Sequence, residues 1–445
     1  MRSHLRVTCI SRLLSRGFLV IGVIAMLMRP GSAQSYSVIH SFTGAADGAI
    51  PTAGLTMDAA GNLYGTAQYG GDTQDCGYQG CGTVFRLTTK NGSWIMMPLY
   101  AFKGGNDSAW PASRVVFGPD GALYGTTKGG TGDSCSQNGC GTVFRLTPPT
   151  TFCRAVSCPW TERVLYRFTG IPDGAIPSTG DLVFDGAGNI YGTTSGGGAY
   201  GWGTVYKLTH SNGVWTESVI YAFTGQHDGG TPNGVIFDHQ GNLYGTTAQG
   251  GYTDPQDNLY GVGVIFELTP SAQGWAETVL YTFRDSSSDG GEPAASLTMD
   301  SSGNFYGTTY AGGGGICQSS NGYITGCGTV FQGTGDATLY AFNAFQSGGL
   351  PEGPLAPISI DAAGNLYGTS VTNGTHGWGN VFKLSARTYT YSSIYDFTGG
   401  VDGGAPVSNV VMDATGNLYG TSSGGGGAQN CILQGGCGVV WKITP

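Results

Sequence analysis

The nonapeptide Asp-Ala-Ala-Gly-Asn-Leu-Tyr-Gly-Thr occurs twice without change, at Asp58–Thr66 and at Asp361–Thr369, and five near copies accompany it. Aligned on Gly-Asn-Leu-Tyr-Gly-Thr, the copies begin at Gly61, Gly121, Gly188, Gly241, Gly303, Gly364 and Gly416, at intervals of 60, 67, 53, 62, 61 and 52 residues. A motif at such a period marks a repeat architecture, in which each unit is one supersecondary element that buries its apolar faces against its neighbours. No other feature restricts the fold as strongly.

Each unit holds four short strand patterns. In the fourth unit they are Asn233–Asp238, Gly241–Thr247, Val262–Thr269 and Glu277–Phe283, rich in Val, Ile, Leu, Tyr and Phe and bounded by Gly, Asp and Asn. No stretch after residue 33 keeps a helical period beyond two turns. Asp-Ala-Ala-Gly-Asn reads as a hairpin turn, with Asp58 accepting from the backbone two residues on and Gly61 supplying the left-handed conformation. The second unit keeps the turn as Gly118–Leu123 with Pro and Asp displaced, so the repeated Asp are turn formers rather than catalytic acids. Leu63 and Tyr64 point to opposite faces of their strand and both are large, so the sheet is sandwiched between neighbours.

Seven units of four strands predict an all-β fold: a seven-bladed β-propeller of four-stranded antiparallel blades. A β-helix is the rival, but its coils are far shorter than this period. The fourth-strand pattern is found at Pro98–Phe102, Val164–Phe168, Val219–Phe223, Val279–Phe283, Thr338–Phe342 and Ser393–Phe397, and the last unit lacks it. The missing copy is Val38–Phe42, so the N-terminal strand is expected to pair with the C-terminal blade around Val439–Ile443 and close the ring, removing two exposed edges.

Residues 1–33 read as a signal peptide: a basic start, the apolar run Phe18–Met28, which is too short to span a bilayer, and small residues at Gly31–Ala33. An uncleaved anchor is the rival. Residues 34–445 form the single propeller domain. Removing five Arg takes Lys+Arg from 19 to 14 against 28 Asp+Glu, a net charge of 14 − 28 = −14. Such a surface repels phosphate backbones and argues against nucleic acid as a partner. No membrane insertion is expected after cleavage, and a closed ring is expected to be a monomer. Cys9 leaves with the signal, and the other ten cysteines fall into five neighbouring pairs: Cys76/Cys81, Cys135/Cys140, Cys153/Cys158, Cys317/Cys327 and Cys431/Cys437. In an exported chain local pairs read as disulfides. A zinc site is the rival, but there is no Cys-x-x-Cys spacing and no nearby His.

These motifs, Asp-x-x-Gly-Asn-Leu-Tyr-Gly-Thr-Thr-x-x-Gly-Gly followed by Gly-Thr-Val-Phe-Lys-Leu and Tyr-x-Phe, resemble the Gloeo-Verruco (GloVer) tandem repeat of exported bacterial proteins over nearly the whole chain after residue 33. The resemblance implies an extracytoplasmic propeller-like protein, in the periplasm or at the cell surface. It implies no activity, because the family offers no catalytic residues to carry over.

The loops between second and third strands, and those between successive blades, vary most, and variable loops on a rigid scaffold are where binding resides. Four of the cysteine pairs fall there. In the third and sixth units Trp202 and Trp378, within Tyr200–Gly203 and His376–Gly379, stand where the first, second, fifth and seventh units have their second Cys. Two readings follow: the Trp pins the loop as a disulfide does elsewhere, or Tyr200, Trp202, His376 and Trp378 form platforms for a sugar or peptide. Asp285–Glu292 and Thr253–Asp257 offer oxygen ligands for calcium or stay solvated; neither has an EF-hand pattern, and no cofactor is expected. His40, His210, His227, His239 and His376 are dispersed, and no catalytic motif stands out. Glu162, Glu217 and Glu277 recur in equivalent contexts before the fourth strand, which favours structure over catalysis. The expected function is a secreted binding or adhesion module for carbohydrate or a cell-surface protein. A hydrolase or lyase acting on polysaccharide at the channel mouth, and a purely structural envelope protein, stand as alternatives.

Overall fold

The computed structural model of the protein describes residues 34–445 except 74, 131–134, 136–138, 150–159, 178–179, 253–259, 285, 287, 315–316, 318–325, 334–336, 343–352, 429–430 and 432–434. The expected signal segment lies outside the described residues, as do parts of both acidic loops. The described chain forms seven antiparallel sheets, over residues 56–101, 108–167, 183–222, 230–282, 290–341, 359–396 and 411–444. These are blades 1 to 7. Five sheets have four strands, and blades 2 and 5 have a first strand split in two. Blade 7 is completed by Ser35–Ser41, which pairs with Val439–Thr444: Val38 faces Trp441 and Ser41 faces Val439. The amide of Phe42 extends this ladder to the carbonyl of Gly438 at 3.0 Å.

The nonapeptide serves both the blade and the ring. Asp58 Oδ1 accepts from the amides of Ala60 and Asn62 at 2.9 Å, and its Oδ2 accepts from the Asn62 side chain at 2.8 Å and the Tyr64 hydroxyl at 3.1 Å. The same four bonds recur on Asp185, Asp361 and Asp413. Burial works against the charge of Asp58, but these donors win and hold its carboxyl below the usual carboxylate range. The Tyr hydroxyl therefore locks the turn, while its ring packs toward the next blade, as Tyr64 does on Phe117.

Gly65 leaves room for an aromatic ring. A Cβ there would meet Phe85 Cζ at 2.6 Å, and Gly420 is placed alike against Trp441. Each such ring in turn meets, across the blade interface, the Phe that ends the preceding fourth strand. Phe42–Phe85, Phe102–Phe144, Phe223–Phe266 and Phe342–Phe382 are edge-on at 5.0–5.2 Å, and Phe397–Trp441 is tilted at 6.0 Å. Both partners are fully buried, at about 1.5–3 kcal/mol per side chain plus about 0.5–1.5 kcal/mol for the edge-on geometry.

The closing Thr ties neighbouring blades together. Its hydroxyl donates to a carbonyl on the next innermost strand: Thr66 to Ser113, Thr246 to Ala295, Thr308 to Ala356 and Thr369 to Ser408. Thr421 donates to Ala53 at 3.1 Å, from blade 7 back to blade 1. The ring order thus follows chain order and closes on itself.

Candidate functional site

Antiparallel order puts the loops between second and third strands at the same end as the connections between blades. Four disulfides brace this loop face, Cys76–Cys81, Cys135–Cys140, Cys317–Cys327 and Cys431–Cys437, and such bonds persist in an oxidising compartment. The sequence predicts a fifth bridge, between Cys153 and Cys158. Both Cys153 and Cys158 lie outside the described residues, so four bridges rather than five stand among the described residues. Three of the four lie over a glycine of the following interblade connection: Cys431 Sγ stands 2.8 Å from where a Gly44 Cβ would be, Cys76 Sγ likewise at Gly104, and Cys135 Sγ at 2.9 Å from Gly170.

The two Trp rings occupy the equivalent place. Trp202 lies on Gly225 and Trp378 on Gly399, each ring within 2.3 Å of the missing Cβ. One face of each indole is therefore covered by the fold. Trp202 is half-buried with Tyr260 6.2 Å away, whereas 42% of Trp378 is exposed. Tyr200 and His376 are exposed beside them. Blades 3 and 6 have two blades between them on one side of the ring and three on the other, so the fold brings Tyr200 to Trp202 and His376 to Trp378 but keeps the pairs apart.

A feature unrecognised in the sequence completes this face. Ile50, Trp110, Ile176, Thr231, Glu292 and Ala405 each precede a Pro and each have a left-handed backbone, with φ of 49–59°. For branched residues such as Ile50 and Ile176 this conformation is strained, at about 1–3 kcal/mol. Their amides hold it in place: five donate to the preceding blade's brace, Ile50 to the Cys437 carbonyl, Trp110 to Cys81, Ile176 to Cys140, Thr231 to Trp202 and Ala405 to Trp378, all at 2.8–2.9 Å, and Glu292 donates to the equivalent Val262 at 2.7 Å. The recurrent x-Pro dipeptide was the signal available in the sequence. Around this scaffold stand exposed apolar side chains: Tyr78, Ile171, Tyr200, Tyr252, Tyr260, Trp378 and Val401.

The second region is the central channel, a cavity of about 650 Å³ lined by the innermost strand of every blade. Its wall is mostly small or apolar, with one polar cluster. Arg114 Nε donates to Asp181 Oδ2 at 3.0 Å, and its Nη2 also reaches that oxygen. The Asp181 carboxylate pushes the Arg114 guanidinium pKa up, against the effect of burial. Asn409, on the far side of blade 1, has a buried Oδ1 with no hydrogen-bond partner within the protein. Sequence reasoning missed these residues because no local motif joins them.

Pairs of acids do occur, but at the outer flank rather than in the channel. Glu162, Glu217 and Glu277 on outermost strands approach Asp107, Asp173 and Asp228 of the preceding connection. Burial first, and then the neighbouring carboxylate, pushes all three Glu up to about 7. The Asp are already engaged: Tyr100, Tyr166 and Tyr221 donate their hydroxyls to them at 2.9, 2.6 and 3.2 Å. Among the described residues no group of three or more His, Cys, Asp and Glu is placed to hold a metal ion.

The family model of the Gloeobacter/Verrucomicrobia repeat matches residues 21–156 and, overlapping them, 130–324. None of the curated proteins matches the sequence. Among solved structures, the PQQ-bound aldose sugar dehydrogenase of Streptomyces coelicolor is similar at 13% identity over 92% of this chain and 98% of its own, with a TM-score of 0.42. A chain of the nidogen/laminin complex is similar at 14% identity over 71% and 90%, with a TM-score of 0.38. A gluconolactonase of Xanthomonas campestris is similar at 16% identity over 63% and 74%, with a TM-score of 0.33.

Proposed function

The chain belongs to the Gloeobacter/Verrucomicrobia repeat family, and we propose that it is an exported binding module whose loop face takes an extended carbohydrate polymer. The observation that carries this reading is the set of exposed aromatic side chains on that face, Tyr78, Tyr200, Tyr252, Tyr260 and Trp378, spread over blades 1, 3, 4 and 6. Aromatic rings offer apolar faces to pyranose C–H groups and polar edges to hydroxyls. Their spacing around a ring suits a polymer that crosses several blades better than one small ligand. Disulfides, Trp rings and strained x-Pro residues hold these loops in place, which lowers the entropy lost on binding. The acid pairs lie at the connections between blades rather than in the channel, and each Asp already accepts from a Tyr hydroxyl, which supports binding over glycoside hydrolysis.

The test is a glycan array of polysaccharides run beside assays for released reducing ends. Binding without release is the expected result. Tyr200→Ala and Trp378→Ala should each weaken polymer binding severalfold. Release of reducing ends that survives both substitutions would refute the proposal in favour of an enzyme.

A further inference from the structure

The face opposite the variable loops carries an inference independent of the loop face and the channel. There each repeat Tyr stands between its turn residues and the residue facing it on the third strand. In five blades that residue is basic: Arg86 faces Tyr64, Arg145 faces Tyr124, Lys207 faces Tyr191, Lys383 faces Tyr367 and Lys442 faces Tyr419. Four of these cations lie over the Tyr ring, 5.3–5.9 Å from its centre, an electrostatically favourable place for a cation. Arg145 and Lys207 also reach the carboxylates of Asp120 and Asp185. In blade 5 the place is taken by Gln332, held between the hydroxyls of Tyr306 and, from blade 6, Tyr389, at 3.3 and 3.0 Å.

Blade 4 breaks the pattern twice. First, Glu267 faces Tyr244, so two carboxylates meet at one hydroxyl. Tyr244 donates to Glu267 Oε1 at 2.7 Å and stands 3.4 Å from Asp238 Oδ2, against 3.0–3.1 Å for the Tyr–Asp bond in the five basic blades. Glu267 Oε2 has no donor among the described residues and is not fully covered. Second, the cover is missing. Trp94, Trp160 and Trp275, near the start of their outermost strands, stand 5.9–6.4 Å from the Tyr of the preceding blade. The sequence between Gln332 and Ala337, which joins the corresponding strands of blade 5, has no aromatic residue. Tyr244 is accordingly partly exposed, whereas the other six repeat Tyr are only 4–8% exposed. Phe305, with its ring centre 4.5 Å from that of Tyr244, is partly exposed too. The niche that holds the chain's own cation in five blades is therefore open here, and carries a second anion in the cation's stead.

Two carboxylates beside two accessible aromatic rings complement a long basic side chain. Its alkyl stem can lie on the rings while its head reaches Glu267 and Asp238. The net charge of −9 draws basic partners toward the protein. Lys and Arg side chains of a polypeptide are what the equivalent niches hold, which argues for a polypeptide rather than a free amine. We propose that the blade 4 niche docks a Lys or Arg side chain of a partner polypeptide, with Glu267 and Asp238 taking the charge and Tyr244 and Phe305 the stem. The probes are short Gly-flanked peptides with blocked ends and one central Lys, Arg or norleucine. NMR titration of the full chain should show saturable binding of at least one basic peptide and none of the norleucine peptide. Glu267→Lys should raise the Kd at least about tenfold, because the niche then fills itself as in blades 3, 6 and 7. For the same reason this variant should melt at or above the parent's temperature. Asp75→Lys, the same charge change at an exposed residue of the loop face, should leave binding within about twofold of the parent. The proposal is overturned if neither basic peptide binds at millimolar concentration, if the norleucine peptide binds as well, or if putrescine binds and the peptides do not. It is equally overturned if binding survives Glu267→Lys, if it falls as far in Asp75→Lys, or if Glu267→Lys melts below the parent.

Discussion

The three outer-flank acid pairs should make this protein less stable as pH rises toward neutrality. Glu162, Glu217 and Glu277 have their carboxyls pushed up to about 7 in the folded chain, by burial first and then by Asp107, Asp173 and Asp228. Glu162 also faces Ser108, whose hydroxyl lies 3.4 Å from its Oε1, and Arg167. Tyr166 and Tyr206 face Glu217, and Tyr221 faces Glu277. The buried Oε1 of both Glu217 and Glu277 has no hydrogen-bond partner within the protein. A raised carboxyl pKa means that the folded state holds protons which the unfolded chain has already released. Stability is therefore greatest near the ordinary Glu value, about 4.3, falls as pH rises to about 7, and is level above that. A tenfold difference in proton affinity between folded and unfolded chain corresponds to about 1.4 kcal/mol. These side chains are partly solvated, so a screened penalty of about 1–2 kcal/mol per pair is reasonable, about 3–6 kcal/mol in all. For about 410 folded residues that is roughly 3–7 °C in melting temperature. The opposite limb comes from the turn acids. Asp58, Asp185, Asp361 and others are held below the usual range, and their stabilisation is lost as pH falls below about 4. A dome with its maximum near pH 4–5 should result. The assay is thermal unfolding from pH 3 to 8 for the parent and for the triple variant Glu162→Gln, Glu217→Gln, Glu277→Gln. The variant should match the parent near pH 4.5 and exceed it at pH 7.5. A parent profile flat between those values, or a variant with the same slope, would refute the reasoning.

Three further outcomes are expected. Deleting Ser35–Phe42 removes the fourth strand of blade 7 and the buried Phe42, at about 1.5–3 kcal/mol for that side chain besides the lost ladder, and should leave an edge that self-associates, as size-exclusion chromatography will show. Replacing Cys76 and Cys81 by Ser opens a loop with a sequence separation of 5 and should cost about 2 kcal/mol by denaturant titration; peptide mapping that found either cysteine joined to Cys437 would contradict the local pairing. Asp361→Ala leaves the Asn365 amide and side chain and the Tyr367 hydroxyl without their acceptor, and should lower stability by about 1.5–3 kcal/mol with the blade otherwise intact.

The sequence by itself determined the blade count, the strand number per blade and the turn at each Asp. These follow from short-range physics, since alternation, turn chemistry and period are all written in consecutive residues. Even the pairing of Ser35–Ser41 with Val439–Thr444 was legible, because a fourth-strand pattern missing at one end and present at the other has one place to go. The tertiary structure decided what the repeats enclose. Arg114, Asp181 and Asn409 share no motif and stand at the corresponding level of three different blades, so only the angle swept around the ring brings them together. Glu217 and Asp173 are each ordinary in sequence; the blade interface makes them a coupled pair. The Trp of blades 3 and 6 could be aligned with cysteines from sequence, but that each indole lies flat on a glycine of the next connection depends on how closely two backbones approach. A local pattern fixes the shape of one blade. The distances between blades, and hence the chemistry of the channel and the loop face, arise only when seven of them close.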